Sequence, residues 1–264
     1  MDKEINQFER AALGWQILKR VSLEKTFITY KNFGNEIGVH HRAVRFVLDK
    51  IQDYCLNNHL PPITILVGDK NGIPGTGFTA WDVDNIEEGF EKVYNCNWNN
   101  LENPFSYAIT GTTEEEIVNE LLNEPEKSKE TYSKIKVRGT AQIIFRKALL
   151  KAYDSRCAFC DFSFSFALQA AHIIPWSKAS KSQRLDVRNG ILLCANHHCL
   201  FDNGLLTINN DYSIAFQSNT KHKAISNYDN LLSSAFHNQT IKLPKNEKHW
   251  PNKEFLIEHR NASA

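Results

Sequence analysis

Four side chains stand in two matching pairs. Cys157 and Cys160 are separated by two residues, and so are Cys194 and His197, about 35 positions later. Each pair can offer two ligands from one tight turn. Together they make a Cys3His set, and four protein ligands fill the tetrahedral shell of a zinc ion, leaving no open position. Such a site braces a fold. Cys199 competes for the fourth place on sequence grounds. His198 directly follows His197, and Asp202 lies four residues further on. If ANHHCLFDNG is helical, His198 and Asp202 share a face, whereas His197 points about 100° away. One helix can then serve two cations. The His198–Asp202 pair combines a nitrogen with a hard oxygen, which suits Mg2+ or Mn2+ with bound water better than a structural zinc. His172, in ALQAAHIIPW, can take a proton from water near neutral pH. Asn189, before Gly190, can orient that imidazole through hydrogen bonds.

These residues need a frame. NGILLC reads as a strand and ANHHCLFDNG as a short helix ended by Gly204. ALQAAHIIPW reads as a strand ended by Pro175. In the tail, 209–264, YSIAF is strand-like, while NYDNLLSSAF and HWPNKEFLIEH are apolar. Trp250, Phe255, Leu256 and Ile257 are expected to pack. His222, His237, His249 and His259 read as surface or packing residues, and no chemistry is assigned to the tail.

The chain has 264 residues, 31 Lys+Arg against 30 Asp+Glu, and 42% hydrophobic and 23% charged residues. That composition excludes a disordered or collagen-like chain and fits one or two globular domains. Net charge of +1 means that any basic surface is local. No apolar run reaches the roughly 18 residues of a membrane span. The start, MDKEINQFER, lacks an apolar signal region, so a cytoplasmic protein with no membrane partner is expected. Six cysteines are too few for a disulfide framework. Cys55 and Cys96 stand alone, and the others read as metal ligands. Charge also divides the chain. Residues 111–130 hold seven Glu and two Lys, whereas 132–151 hold six basic residues and no acid. The boundary is placed in EPEKSKE and just beyond it, giving domains 1–123 and 135–264 with a linker at 124–134. TTEEEIVNELL before it reads as a solvated helix with Ile117, Val118, Leu121 and Leu122 at helical spacing.

In the N-terminal part, 7–21 reads as an amphipathic helix. Phe33, Ile37 and Val39 fit a second helix and its turn, with Gly38 at the bend. Val44, Val47, Leu48 and Ile51 give a third helix its apolar face, which makes a helix-turn-helix. After Pro61-Pro62 the run ITILV reads as a strand, Asp69–Gly72 as a turn, and 77–80 as a second strand. Helices followed by a hairpin predict a winged helix. YKNFGNEIG, HRAV and LPPITILV, about 50 residues, resemble the DNA-binding domain of the O6-alkylguanine alkyltransferases and their alkyltransferase-like relatives. That family has its nucleophile in Pro-Cys-His-Arg after the strand. This chain reads LVGDKNG there, so alkyl transfer does not carry over. DNA docking is what the resemblance implies. Arg42 matches the arginine that relatives insert into the base stack, Tyr30 matches the family's tyrosine at the start of its helix, and Arg45 follows on the same helix.

His172, Asn189 and His198, framed by the two cysteine knuckles, resemble the HNH endonuclease motif of the ββα-metal fold, over about 137–208. The lead-in KVRGTAQIIFRKALLKAYDSRCAFC and the run HHCLFDNGLLTI are similar to bacterial HNH proteins of restriction type. The resemblance implies one-metal phosphodiester hydrolysis. His172 would be the general base, Asn189 would orient it and hold the loop, and His198 and Asp202 would hold the catalytic ion. Cys157, Cys160, Cys194 and His197 would hold structural zinc. Many members place Asp or His directly before the base as a metal ligand, and here that position is Ala171. Gln169 is a weak substitute. Lys178, Lys181, Arg184 and Arg188, with Lys136, Arg138 and Arg146, are expected to contact phosphates, and Arg146 or Arg138 could clamp the scissile one. The expectation is thus an α+β chain, with a winged helix-turn-helix domain ahead of a zinc-braced ββα-metal domain. It would cut double-stranded DNA as a restriction or defence enzyme, directed at modified DNA on the alkyltransferase-like resemblance. A homodimer fits the two strands of a duplex. The rivals are a catalytically dead zinc-braced DNA-binding module, which Ala171 favours, and an HNH nuclease that is nonspecific or directed at RNA.

Overall fold

A computed structural model describes residues 6–135, 137–217 and 226–263. Lys136 and His222 lie outside the described residues. The chain forms two compact units that interleave in sequence: Met1–Glu114 with Lys134–Ala141, and Glu115–Ser133 with Gln142–Ala264.

In the first unit, Asn6 caps α1 (Gln7–Leu23) by accepting from the amides of Phe8 and Glu9. The helix buries Ala11, Trp15, Leu18 and Val21, the spacing of one helix face. A two-residue strand, β1 (Ile28–Thr29), leads into α2 (Tyr30–Glu36). The chain turns through Gly38 and enters α3 (Val44–Asn57), which buries Val44, Val47, Ile51, Tyr54 and Cys55. Two helices joined by a turn at Gly38 thus form where the sequence predicts them. Trp15 meets Tyr54, Trp98 and Phe105 edge-on at 5.5, 5.7 and 6.3 Å, at the centre of this core.

The wing is not formed. Ile63–Leu66 is a 3-10 turn, and only β2 (Val67–Gly68) is extended, pairing parallel with β1. Ile63, Ile65 and Leu66 are all buried, a pattern a one-sided hairpin strand could not satisfy. The Asp69–Gly72 turn does form, its Asp69 carboxylate accepting from Asn71 and Ile73. Among the described residues no strand follows at 77–80. Helix α4 (Ile86–Asn95) then completes this part.

The second unit is mixed α+β. Helix α5 (Glu114–Asn123) is not a solvated connector, because Ile117, Val118, Leu121 and Leu122 are buried. Nor is 124–134 extended. Pro125–Lys127 forms a 3-10 turn and α6 (Ser128–Ile135) follows, with the Ser128 hydroxyl donating to the Ser182 carbonyl. Helix α7 (Arg138–Ala152) leads to the first cysteine knuckle. The antiparallel pair β3 (Leu168–His172) and β4 (Gly190–Cys194) sets His172 opposite Gly190. Helix α8 (Ala195–Asp202) leaves β4 directly and ends at Gly204, whose φ of +70° is the left-handed conformation that closes helices. A second hairpin, β5 (Leu206–Ile208) and β6 (Ile214–Phe216), follows. Helices α9 (Asn227–Leu232) and α10 (Lys253–Ser263) complete the unit. In the tail Leu256 is buried and Trp250 partly so, as expected, whereas Ile257 is 39% exposed.

Candidate functional site

The two knuckles converge. The ligand atoms of Cys157, Cys160, Cys194 and His197 all lie within 4.8 Å of one another. Cys157 Sγ is 3.5 Å from His197 Nδ1, Cys194 Sγ is 3.3 Å from it, and Cys160 Sγ is 3.9 Å from Cys194 Sγ. Tetrahedral bonds of roughly 2.0–2.3 Å to one ion place ligand atoms at such separations. His197 Nε2 lies 3.1 Å from the Leu232 carbonyl. A carbonyl only accepts, so Nε2 carries the hydrogen and Nδ1 turns its lone pair to the thiols. Taken as bare side chains the groups share protons. Hydrogen bonds from Cys157 and Cys160 hold Cys194 far below the usual thiol range, and bonds to Cys160 and Cys194 push Cys157 far above it. Burial would lower His197, but its hydrogen bonds to Cys160 and Cys194 outweigh that and raise it to about 9. The donor set fits zinc. Cys199, the rival ligand, is exposed on α8 and outside the cluster.

One residue further, His198 looks into a cleft of about 500 Å3, which His172, Asp202 and Lys178 also line. Gln169 Oε1 accepts from His198 Nδ1 at 2.6 Å, so the lone pair of His198 is on Nε2. That nitrogen is 3.3 Å from Asp202 Oδ2. A lone pair and a carboxylate oxygen at this distance repel unless a proton or cation lies between them. The pair therefore fits a divalent ion, the carboxylate and Nε2 each giving one ligand. In this arrangement Gln169 fixes the His198 ring. Ala171 is fully buried, so the position before His172 faces the core and can give no ligand.

His172 is held from two directions. Its ring stacks on Phe145 at 4.1 Å and 16°, and its Nε2 donates to the Arg184 carbonyl at 3.0 Å. The lone pair is consequently on Nδ1. Gly190 makes the stack feasible. A Cβ there would come within 2.5 Å of the Phe145 ring and 2.6 Å of Leu149. Asn189 is fully buried. Its amide accepts from Ile174 N at 2.8 Å and donates to the carbonyls of Ile174 and Gln183 at 3.3 and 3.1 Å. It pins the loop between β3 and β4 at both ends, and its bonds go to the backbone of that loop, one of them to Gln183 beside the Arg184 carbonyl that His172 meets.

Residues 157–209 match the family model described as HNH endonuclease. No curated protein matches the chain. The chain carries a C-terminal HNH-like domain bearing a Cys3His metal cluster. Among the described residues no helix is long and apolar enough to cross a membrane.

Several basic residues of the HNH-like domain are committed to its own frame. Arg146 donates to the Ser165 and Leu168 carbonyls, at 2.5 and 3.1 Å from one terminal nitrogen, and so braces the approach to β3. Arg184 donates to Ala179 O and Tyr132 Oη, beneath Trp176. Arg188 is paired with buried Asp186 at 2.7 Å. Lys178 and Lys181 are exposed. In the first unit Arg42, Arg45 and Arg138 are exposed, and Arg45 lies over the Phe46 ring. The Tyr30 hydroxyl accepts from Gly75 N at 2.8 Å, tying the helix start to the loop after Asp69–Gly72. His237 accepts from Phe216 N and His249 bonds the Leu122 carbonyl, as packing histidines do.

The tail supplies what the sequence did not reveal. Glu258, His259 and Ala262 of α10 line the same cleft as His172 and His198. His259 lies flat on Phe201, 3.9 Å away and nearly parallel, and burial lowers its proton affinity. The spacing of Glu258 and Ala262 by four puts them on one face of α10, but nothing local in the sequence ties that face to this cleft.

Proposed function

We propose that the protein is a DNA endonuclease that hydrolyses phosphodiester bonds by a one-metal mechanism. The observation that carries this reading is the facing of His198 Nε2 and Asp202 Oδ2 across 3.3 Å, in the cleft that His172 also lines. His198 and Asp202 hold Mg2+ or Mn2+, which supplies Lewis-acid stabilisation of the phosphate and of the departing 3′ oxygen. His172 does the proton chemistry. Its Nε2–H is fixed on the Arg184 carbonyl, so Nδ1 takes the proton of the attacking water. Asn189 holds the loop that presents that carbonyl, and Gln169 fixes the His198 tautomer. The Cys3His cluster holds zinc and keeps the β4–α8 corner rigid. Lys178 and Lys181 bind phosphates beside the cleft. In the N-terminal part, 1–123, the helix-turn-helix with Arg42 and Arg45 docks on double-stranded DNA, and 135–264 cuts it. The biological role is restriction or defence in the cytoplasm, directed at modified DNA, with a homodimer supplying one cleft per strand.

A second reading has one observation behind it. The burial of Ala171 leaves two protein ligands for the catalytic ion, which favours a dead, zinc-braced DNA-binding module. Supercoiled plasmids carrying unmodified, methylated, hydroxymethylated or phosphorothioated DNA, each incubated with Mg2+, Mn2+ or chelator, separate the two. Cutting that needs the divalent ion and disappears in His172→Ala supports the nuclease. Binding without cutting on every plasmid moves the conclusion to the binding module.

A further inference from the structure

The segment 161–167 reads Asp-Phe-Ser-Phe-Ser-Phe-Ala. All three phenylalanines are on the surface. Phe162 is 37% exposed, Phe164 63% and Phe166 85%. Their rings form a chain, with centroids 5.4 Å apart from Phe162 to Phe164 and 5.8 Å from Phe164 to Phe166. The backbone below them is held in place. Cys157 N donates to Phe162 O, Ala167 N to Phe164 O, and the Arg146 guanidinium bonds Ser165 O and Leu168 O. The segment is anchored to the first zinc knuckle at one end and runs into β3 at the other. Phe166 lies in the 3-10 turn Ser165–Ala167 that leads directly into β3, and three residues further on is Gln169, whose amide touches His198.

Rigid backbone with exposed apolar tips is costly in water and needs a partner. Side chains of this size bury roughly 150–250 Å2 each, so the exposed parts of the three rings amount to on the order of 300–450 Å2. A stable protein interface needs about 800 Å2 per partner, and a second copy of the chain would not be held by this patch. Nucleobases need much less. One or two apolar wedges inserted at a base step suffice to unstack and kink a duplex. The ring planes are tilted by 65° and 38° to one another, so they cannot alternate with parallel bases as a ladder. Phe166, the most protruding ring, suits insertion, with Phe164 behind it. Ser163 and Ser165, both exposed between the rings, add small hydroxyl donors for sugar or phosphate.

We propose that Phe164 and Phe166 form a wedge that enters the base stack beside the scissile phosphate and bends the duplex into the cleft. The proposal rests on the nuclease reading and adds a DNA-deforming surface to it. The test uses the full chain with His172→Ala, to prevent cutting, and a duplex with 2-aminopurine placed at successive steps. Unstacking raises the fluorescence of this base at one step. Phe166→Ala abolishes that rise and weakens binding about tenfold, within the range for loss of one base–aromatic stack. The salt dependence of the remaining binding stays the same, because no phosphate contact is removed. Zinc content and melting temperature are unchanged, since the ring is exposed. Unaltered fluorescence and affinity in Phe166→Ala and in the Phe164→Ser, Phe166→Ser double variant overturn the wedge and leave the nuclease standing. A sedimentation experiment in which the double variant turns a dimer into a monomer without touching the fluorescence also overturns it, in favour of a second copy. Failure of the His172→Ala protein to bind any duplex removes the wedge and the nuclease reading together.

Discussion

His197 and His198 are consecutive on α8, and they face opposite kinds of site. His197 is fully buried, with the thiols of Cys157 and Cys194 on one nitrogen and a backbone carbonyl on the other. His198 keeps 24% of its side chain exposed, between a glutamine and a carboxylate at the edge of an open cleft. The first site brings four protein donors together. The second brings one nitrogen and one carboxylate oxygen to an open cleft. The helix period alone separates them, since successive side chains diverge by about 100°. A single turn of helix thus joins a closed cluster to an open cleft, and the fixed side of the helix sets where the other side points.

The comparison can be broken at its strong side first. Cys160→Ser or His197→Ala should reduce bound zinc from one per chain towards none. Structural zinc contributes apparent binding energies of about 10–16 kcal/mol to small metal domains, so the HNH-like domain should lose its cooperative melt, read by calorimetry beside elemental analysis. The open side should respond differently. His172→Ala should keep its zinc and its melt while plasmid cleavage falls about 10²–10⁴-fold. A variant that lost zinc as well would show that the two sites are not separable. His198→Ala should abolish Mn2+ binding, followed by electron paramagnetic resonance on the zinc-loaded protein, again with zinc retained. Asn189→Ala lies between the two cases. It leaves buried backbone groups of the β3–β4 loop unpaired, at about 1–3 kcal/mol each, so both melt and cleavage rate should fall together. Gln169→Ala should have the smallest effect. It should leave the melt alone and weaken Mn2+ about 10–100-fold, as loss of a partner behind a metal ligand does; unchanged affinity would show that Asp202 alone sets the ring.

The legible parts of this molecule were local ones. Cys157/Cys160 and Cys194/His197 announce a cluster because two-residue spacings fit one turn of chain. The NGILLC strand and the following helix were readable for the same reason, as was the His198–Asp202 face. What failed was of longer range or carried by backbone. The Arg184 carbonyl that fixes His172 has no side-chain signature. Charge alone marks Arg146, Arg184 and Arg188 in the sequence, and their carbonyl, hydroxyl and carboxylate partners are visible only in the fold. Glu258 and His259 reach the cleft from a helix some 60 residues past α8. The wing was read from an apolar run, ITILV, that is buried on all sides and so turns as a 3-10 segment.

The ring beneath His172 has a further consequence. Phe145 lies face-on to the imidazole at 4.1 Å because Gly190 leaves it room. Any side chain at position 190 would meet the Phe145 ring and Leu149 and push them away from the strand. The tilt of the His172 imidazole is therefore set from the opposite strand, by an atom that is not there, and Gly190→Ala should disturb the site without altering one of its polar groups.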